Sequence, residues 1–290
     1  MAYTPRANGC RRVVTDNLST DRFGLRVLVR SARGLIICVL TFAPVCALAQ
    51  GMMGHVDLNA PEFVEAELTR EGVEKLLAPG AGHPADLTGK RLNGLDLSGL
   101  DFSKAVLRSA RLNKSNLKGS LLAGAVLDQA WLISADLSGA DLTGASLFQT
   151  QLKSARLDGA DLSGARIAAD LSGASLTRAS LRGADISADM RNQSMGLMRG
   201  VFRSADMEGA DFTGANLARA DLEYASLRGA VLTRANFSGA QLGGADLTGA
   251  DISGARFEDA DVDSARLVGL RGETDAVFSN ARNLGAAIRK

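Results

Sequence analysis

The sequence predicts an all-β solenoid that turns one corner every five residues. Three observations carry that reading. An apolar residue returns at every fifth position, as at Leu87, Leu92, Leu97, Phe102 and Leu107, and on to Leu162 and Ile167. The residue two before it is usually small, as at Ala105, Ala110, Ala125, Ala130 and Ala135. Many repeats close on Ser-Gly, Thr-Gly or Asp-Gly, as in ADLSGADLTGASL over 135–147.

A five-residue period belongs to neither regular structure. In a helix at about 100° per residue the apolar position would advance by about 140° and wander round the surface. In a strand at about 180° per residue each repeat would flip to the other face. A line of leucines is buried only if the chain turns once per repeat and resets which way is inward. Within each short extended piece, positions two apart share a side. The Ala and the Leu therefore face in, while the residue between them and those that follow face out. Glycine accepts the positive φ that a tight corner needs. Nearly forty repeats in succession require a solenoid, with coils stacked at about 4.8 Å. The inward alanines must stay small, because larger side chains would overpack the core.

Composition agrees. Aromatic residues make up 4% of the 290, with 32 glycines and five prolines, so the core must be built from Ala and Leu. The net charge of +1 hides an asymmetry. Residues 1–49 hold seven basic and two acidic residues, which leaves 26 basic and 30 acidic from totals of 33 and 32. The remainder is mildly acidic, which favours solubility and says little about partners. Cys10, Cys38 and Cys46 all fall in the first stretch, so the body holds no disulfide framework and no thiolate metal site.

Residues 1–49 read as a secretory signal peptide. Arg26, Arg30 and Arg33 precede the uncharged run GLIICVLTFAPVCAL (34–48), and Ala47-Leu48-Ala49 forms an A-x-A cleavage pattern. Fifteen residues rise about 22 Å as a helix, short of the roughly 30 Å hydrocarbon core, so no membrane span is expected in the mature chain. The protein is expected to be exported, to the periplasm or the extracellular space. Within 50–84, PEFVEAELTREGVEKLLA (61–78) is helix-like. Thr69 is the expected N-cap, Glu71 lies in the first turn, and Val73, Leu76 and Leu77 share a face. Pro79-Gly80 stops the helix, which is expected to cap the near end of the solenoid.

The repeats run over 85–272 with one disturbance. Ile167 to Leu171 and Ile186 to Met190 are each four residues, and the two short edges are expected to stack on one face. RNQSMG (191–196) then adds two residues before Leu197 and Phe202 restore the register. Arg191, Asn192, Gln193 and Ser194 are a bulge or a candidate binding loop. The tail ETDAVFSNARNLGAAIRK (273–290) departs from the repeat and is expected to cover the far end or to mediate a homodimer.

The phrase A-[D/N]-L-x-x, as in Ala135-Asp136-Leu137-Ser138-Gly139 and Ala215-Asn216-Leu217-Ala218-Arg219, resembles the pentapeptide repeat family. The resemblance covers roughly 85–272. It implies a right-handed quadrilateral β-helix with four repeats per coil, hence about nine coils and roughly 45 Å of stacking. It also implies two classes of function, neither catalytic. One is a scaffold for a protein partner. The other is a DNA mimic, since some members resemble duplex DNA in size and acidity and protect gyrase-type topoisomerases.

Little in the sequence carries chemistry. His55 and His83 precede the repeats, with no neighbouring Cys or helix-spaced carboxylate. No nucleophile elbow or phosphate loop occurs, and neither an enzyme activity nor a cofactor is expected. Asp141 and Asp161 should stack one coil apart on a solvated, mixed-charge wall. Outward apolar residues are the stronger departure. Val106, Val126 and Phe148 fall on successive coils of one face, and Trp131 and Ile133 are expected on the next, beside Leu121. They form a candidate protein-contact surface, although Trp131 also has Arg111 one coil below it to stack on. A DNA mimic needs dense negative charge, whereas Arg111, Arg156, Arg166 and Arg256 occupy positions where Asp is usual. The reading preferred is an exported, non-catalytic scaffold with a protein partner and no nucleic acid.

Overall fold

The computed structural model describes residues 57–78, 84–190 and 198–290, all within the unit Cys46–Lys290. The leader at 1–49, the stop at Pro79-Gly80 and the loop Arg191–Ser194 lie outside the described residues. From Asp86 onward the chain makes one parallel bridge per repeat to the residue one coil further on. Val106 pairs with Val126, Arg111 with Trp131, Asn116 with Asp136 and Leu121 with Asp141, so four repeats, or twenty residues, complete a coil with four sides. We number the sides by these outward columns: side 1 through Val106, side 2 through Arg111, side 3 through Asn116 and side 4 through Leu121. Coils 1–4 begin at residues 85, 105, 125 and 145; coils 5–9 begin at 165, 184, 215, 235 and 255, and a partial coil 10 begins at 276.

Backbone hydrogen bonds repeat with the same rule. The central residue donates to the next coil, as Leu127 N does to Ser146 O at 2.8 Å, and Ser146 N returns a bond to Ala125 O at 2.9 Å. Inside, the central Leu or Phe and the preceding Ala of each repeat are buried in one continuous core, with Phe237, Phe257 and Phe278 stacked at centroid spacings of 5.0 and 4.7 Å. Where a hydroxyl replaces the small apolar residue it is satisfied internally. Ser115 Oγ donates to Leu112 O at 2.7 Å and Thr150 Oγ1 to Leu127 O at 2.8 Å.

Each corner of the regular five-residue spacing holds one residue at positive φ, whereas the short corner of coil 5, at Ala168-Ala169, holds none. Gly139 and Gly144 have φ of 66° and 63°, as their sequence position predicts, yet the same geometry is taken by Lys104, Gln129, Arg219 and Tyr224. Glycine is preferred at the corner and is not obligatory there.

The N-terminal segment departs from a single helical reading of 61–78. A one-turn helix α1, Pro61–Val64, ends where Glu65 turns extended, because Ala66 forms an antiparallel bridge with Leu92. Helix α2, Arg70–Leu77, begins at Thr69, whose Oγ1 accepts from Gly72 N at 3.2 Å. Val73 is buried in the core cluster with Leu87 and Leu92, and Leu77 is partly buried against it; Leu76 is exposed.

The disturbance in the repeat resolves into two events at the corner between sides 1 and 2. Coil 5 lacks one residue there, since Gln151 pairs with Asp170 at an offset of 19. Coil 6 is longer, since Asp170 pairs with Val201 at an offset of 31. The second short edge expected at Ile186–Met190 is therefore not an edge. Met190 is exposed, and the next inward residue is Phe202. Gly200 is where the chain rejoins the wall. A Cβ there would collide with the Ile186 side chain and lie 3.0 Å from the Phe202 ring and 3.1 Å from Ile167 O.

The tail continues the wall. Arg256 pairs with Val277, Asp261 with Arg282 and Arg266 with Ile288, at offsets of 21 to 22 residues. The 3-10 turns Glu273–Asp275 and Leu284–Ala286 lie in the two stretches between Arg271 and Val277 and between Arg282 and Ile288 that are longer than five residues. Gly272, Phe278, Asn283 and Arg289 follow the bridged residues, where internal coils carry their central apolar side chain. Arg289 instead meets Glu273 at 3.0 Å and Asn283 donates to Asp261 at 2.9 Å.

Candidate functional site

The outward apolar residues divide over three sides. Val106 and Val126 sit in the side 1 column, and Phe148 follows Leu147 on the same side one coil further on. All three are half-buried. Asp128 fixes the backbone beneath them, accepting from Ser146 Oγ at 2.5 Å and Phe148 N at 3.2 Å. Trp131 and Ile133 lie on side 2. Leu121, 44% exposed, lies on side 4 in the column Asp101–Leu121–Asp141, across the body from Trp131. The expectation that Leu121 sits beside Trp131 fails because the two are separated by two corners of a four-sided coil.

Trp131 already has an occupant. Residues 61–68 form a strap along side 2 of coils 1–3. Phe63 packs on Trp131 at a centroid distance of 4.7 Å, and the Arg111 guanidinium lies 5.0 Å from the Phe63 ring. Phe63 thus takes the place of the direct Trp131–Arg111 stack expected from spacing. A ladder of two buried asparagines holds the strap. Asn93 Nδ2 donates to Glu62 O and Glu65 O at 3.1 and 2.9 Å, and Asn113 Nδ2 to Phe63 O at 3.3 Å. Their Oδ1 atoms accept from Asn113 N and Ile133 N. The repeated Arg-Leu-Asn at 91–93 and 111–113 is the sequence signal for this ladder, and period-five reasoning passed over it.

The long corner of coil 6 is tied down at both ends. Arg166 Nη1 donates to Ser187 O at 2.9 Å. Arg199 crosses side 2 to reach Arg219 O, Asp221 Oδ2 at 2.9 Å and Gln241 Oε1 at 2.8 Å. Asp221, fully buried, also receives Arg203 Nε at 2.7 Å, and that bond to Asp221 leads the causes that raise the Arg203 pKa.

The outward aspartates are turned back on the wall. Asp136 Oδ1 accepts from Ser138 N and Oγ, and Asp141, Asp170, Asp211, Asp246 and Asp251 repeat the arrangement with the Ser or Thr two residues on. The Ser98 and Ser253 hydroxyls and amides hold the Asp96 and Asp251 carboxyls below the ordinary range. Asp141 and Asp161 do stack one coil apart, each engaged by its own Thr143 or Ser163. Among the described residues no group of three or more His, Cys, Asp or Glu is placed to hold a metal, and no helix is long and apolar enough to cross a membrane.

The family model for pentapeptide repeats matches this chain in eight copies, over residues 85–124, 110–147, 132–167, 167–188, 201–234 and 230–269. Among solved structures, the chain is similar to HetL, a pentapeptide repeat protein involved in heterocyst differentiation regulation in the cyanobacterium Nostoc. That match is 34% identical over 77% of this chain and 97% of HetL, with a TM-score of 0.39. QnrB1, a plasmid-mediated fluoroquinolone resistance protein, is 20% identical over 57% of this chain and 82% of its own, at 0.35. A pentapeptide repeat protein of the Arabidopsis thaliana thylakoid lumen is 28% identical over 47% and 71%, at 0.18. No curated protein matches the sequence.

Proposed function

This chain belongs to the pentapeptide repeat family, whose members fold as right-handed four-sided β-helices, and on that premise we propose that it is an exported, non-catalytic scaffold presenting the wall of coils 2–4 to a protein partner. The observation that carries the reading is the run Val106, Val126 and Phe148 on side 1: the other bridged positions of that side in coils 1–9 hold Asp, Ser, Arg or Asn, and Phe148 is the one aromatic residue to follow a central apolar residue there. A wall bonded coil to coil loses little conformational freedom on binding, which lowers the cost of association. An aromatic side chain amid smaller apolar ones is a suitable anchor for such a contact. Helix α2 serves as the cap of the first coil. Val73 on the core supports this, as does Arg70, which donates to Asp96 O and Ser98 O at 3.0 and 3.1 Å. Export rests on the basic flank, apolar run and cleavage pattern of the leader.

Charge on the walls weighs against DNA mimicry, which needs a continuous row of unpaired negative groups. Here arginines interleave the carboxylates, with Arg156 between Asp136 and Asp158 at 3.9 and 3.6 Å and Arg182 on Asp211 at 2.6 Å.

The test joins location to contact. Fractionation is expected to place the protein outside the cytoplasm. Affinity capture from envelope extracts is expected to retain a partner with the wild-type chain and lose it with Val126→Ser/Phe148→Ser. A partner retained equally by both would reject side 1 as the interface.

A further inference from the structure

A groove of about 320 Å³ opens on side 2 of coils 7–9, lined by Glu223, Tyr224, Gln241, Gly243, Asp261 and Asp263. Two departures from the repeat make it. Tyr224 stands at a corner position whose other non-glycine occupants are all polar, and it is 70% exposed. Its ring lies on Gly244 of the next coil, where a Cβ would meet ring carbons at 2.6 and 2.8 Å. Gly243 follows a central leucine at a position that no other repeat fills with glycine. Nothing in the backbone demands it, because its φ is not positive and a Cβ there would meet nothing nearer than 3.9 Å. A glycine inside a wall that does not need one marks a place of close approach. Here its missing side chain leaves the floor open between Glu223 and Asp263.

The walls of the groove define what fits. One ring face is available beside three carboxylates. Arg203 engages Glu223 at 3.2 Å and Arg282 reaches Asp261 at 3.7 Å, while Asp263 makes no ion pair among the described residues. A planar cation can stack on the tyrosine and hydrogen-bond carboxylates edge-on, which a guanidinium does better than an ammonium. We propose that this groove recognises an arginine side chain carried on an extended segment of a protein partner. The site lies on coils 7–9, apart from the apolar run on coils 2–4, and does not depend on it.

The test titrates the full chain with an acetylated, amidated Gly-Arg-Gly-Arg-Gly peptide, followed by the amide shifts of Gly243 and Gly244. Saturable shifts are expected, with affinity at least tenfold weaker in Tyr224→Ser and in Gly243→Gln and weaker for the lysine peptide. The unfolding midpoint of Gly243→Gln is expected to match the wild type, and Val126→Ser/Phe148→Ser is expected to bind the peptide unchanged. The proposal is overturned by no saturable shift up to about 10 mM peptide, by equal binding to Tyr224→Ser, or by free arginine binding as tightly as the peptide.

Discussion

Asp221 is the only charged residue that is fully buried among those described, and it serves two guanidinium groups at once. Breaking a fully buried ion pair costs about 3–5 kcal/mol, an upper bound here, since Arg203 is half exposed and keeps Glu223 while Arg199 keeps Gln241. Asp221→Ala is therefore expected to lower stability by up to that amount in urea denaturation, and the same change at solvated Asp206 by far less. Gly200→Ala is expected to cost about 1–3 kcal/mol by overpacking, read by the same measurement. Neither residue stands out in the sequence. Asp221 occurs in Ala-Asp-Leu, the ordinary phrase of the wall, and it is buried only because Arg199 arrives from the long corner of coil 6. A period-five reading sorts inward from outward positions correctly, but it has no means of seeing what another part of the chain lays over an outward one.

Among elements, the strap and α2 carry the consequences the repeat does not. Thr69→Ala removes the cap acceptor for Gly72 N and is expected to cost about 1 kcal/mol, seen as earlier fraying of α2 in hydrogen exchange. Phe63→Ala uncovers Trp131, the sole tryptophan, so its emission is expected to shift to the red and become more accessible to acrylamide. An unchanged spectrum would mean that the strap does not shield the indole. The cap residue of α2 was legible from Thr69 and Glu71. The helical reading held over 61–64 and failed at 65–68, where a pairing of Ala66 with Leu92 overrides local propensity. In the tail the sequence lost the phrase while the backbone kept the ladder. Bridge geometry tolerates Asn283 and Arg289 where the pattern demanded leucine, and their side chains are held by Asp261 and Glu273 instead of by the core.

For the whole molecule, the side-chain hydrogen bonds of the outward aspartates couple stability to pH. Asp96 and Asp251 have folded pKa values below the ordinary carboxylate range, so the folded state binds fewer protons than the unfolded one as the medium acidifies. Their contribution is complete above the unfolded value of about 3.9 and disappears as pH falls through the lower folded values. The urea midpoint is therefore expected to hold steady from pH 7 to about 5 and to fall below about pH 4, with a shallower acid limb in Ser98→Ala/Ser253→Ala. Nearest-neighbour stacking governs the rest, since the backbone of each coil bonds to no coil but those above and below. The corner where coil 5 runs one residue short and coil 6 eleven long shows that such a solenoid keeps phase by counting sides, not residues. Chain length can enter or leave at a corner while every column beyond it stays aligned. Such a corner is a port at which evolution, or an engineer grafting an epitope, can lengthen the chain without rewriting the wall.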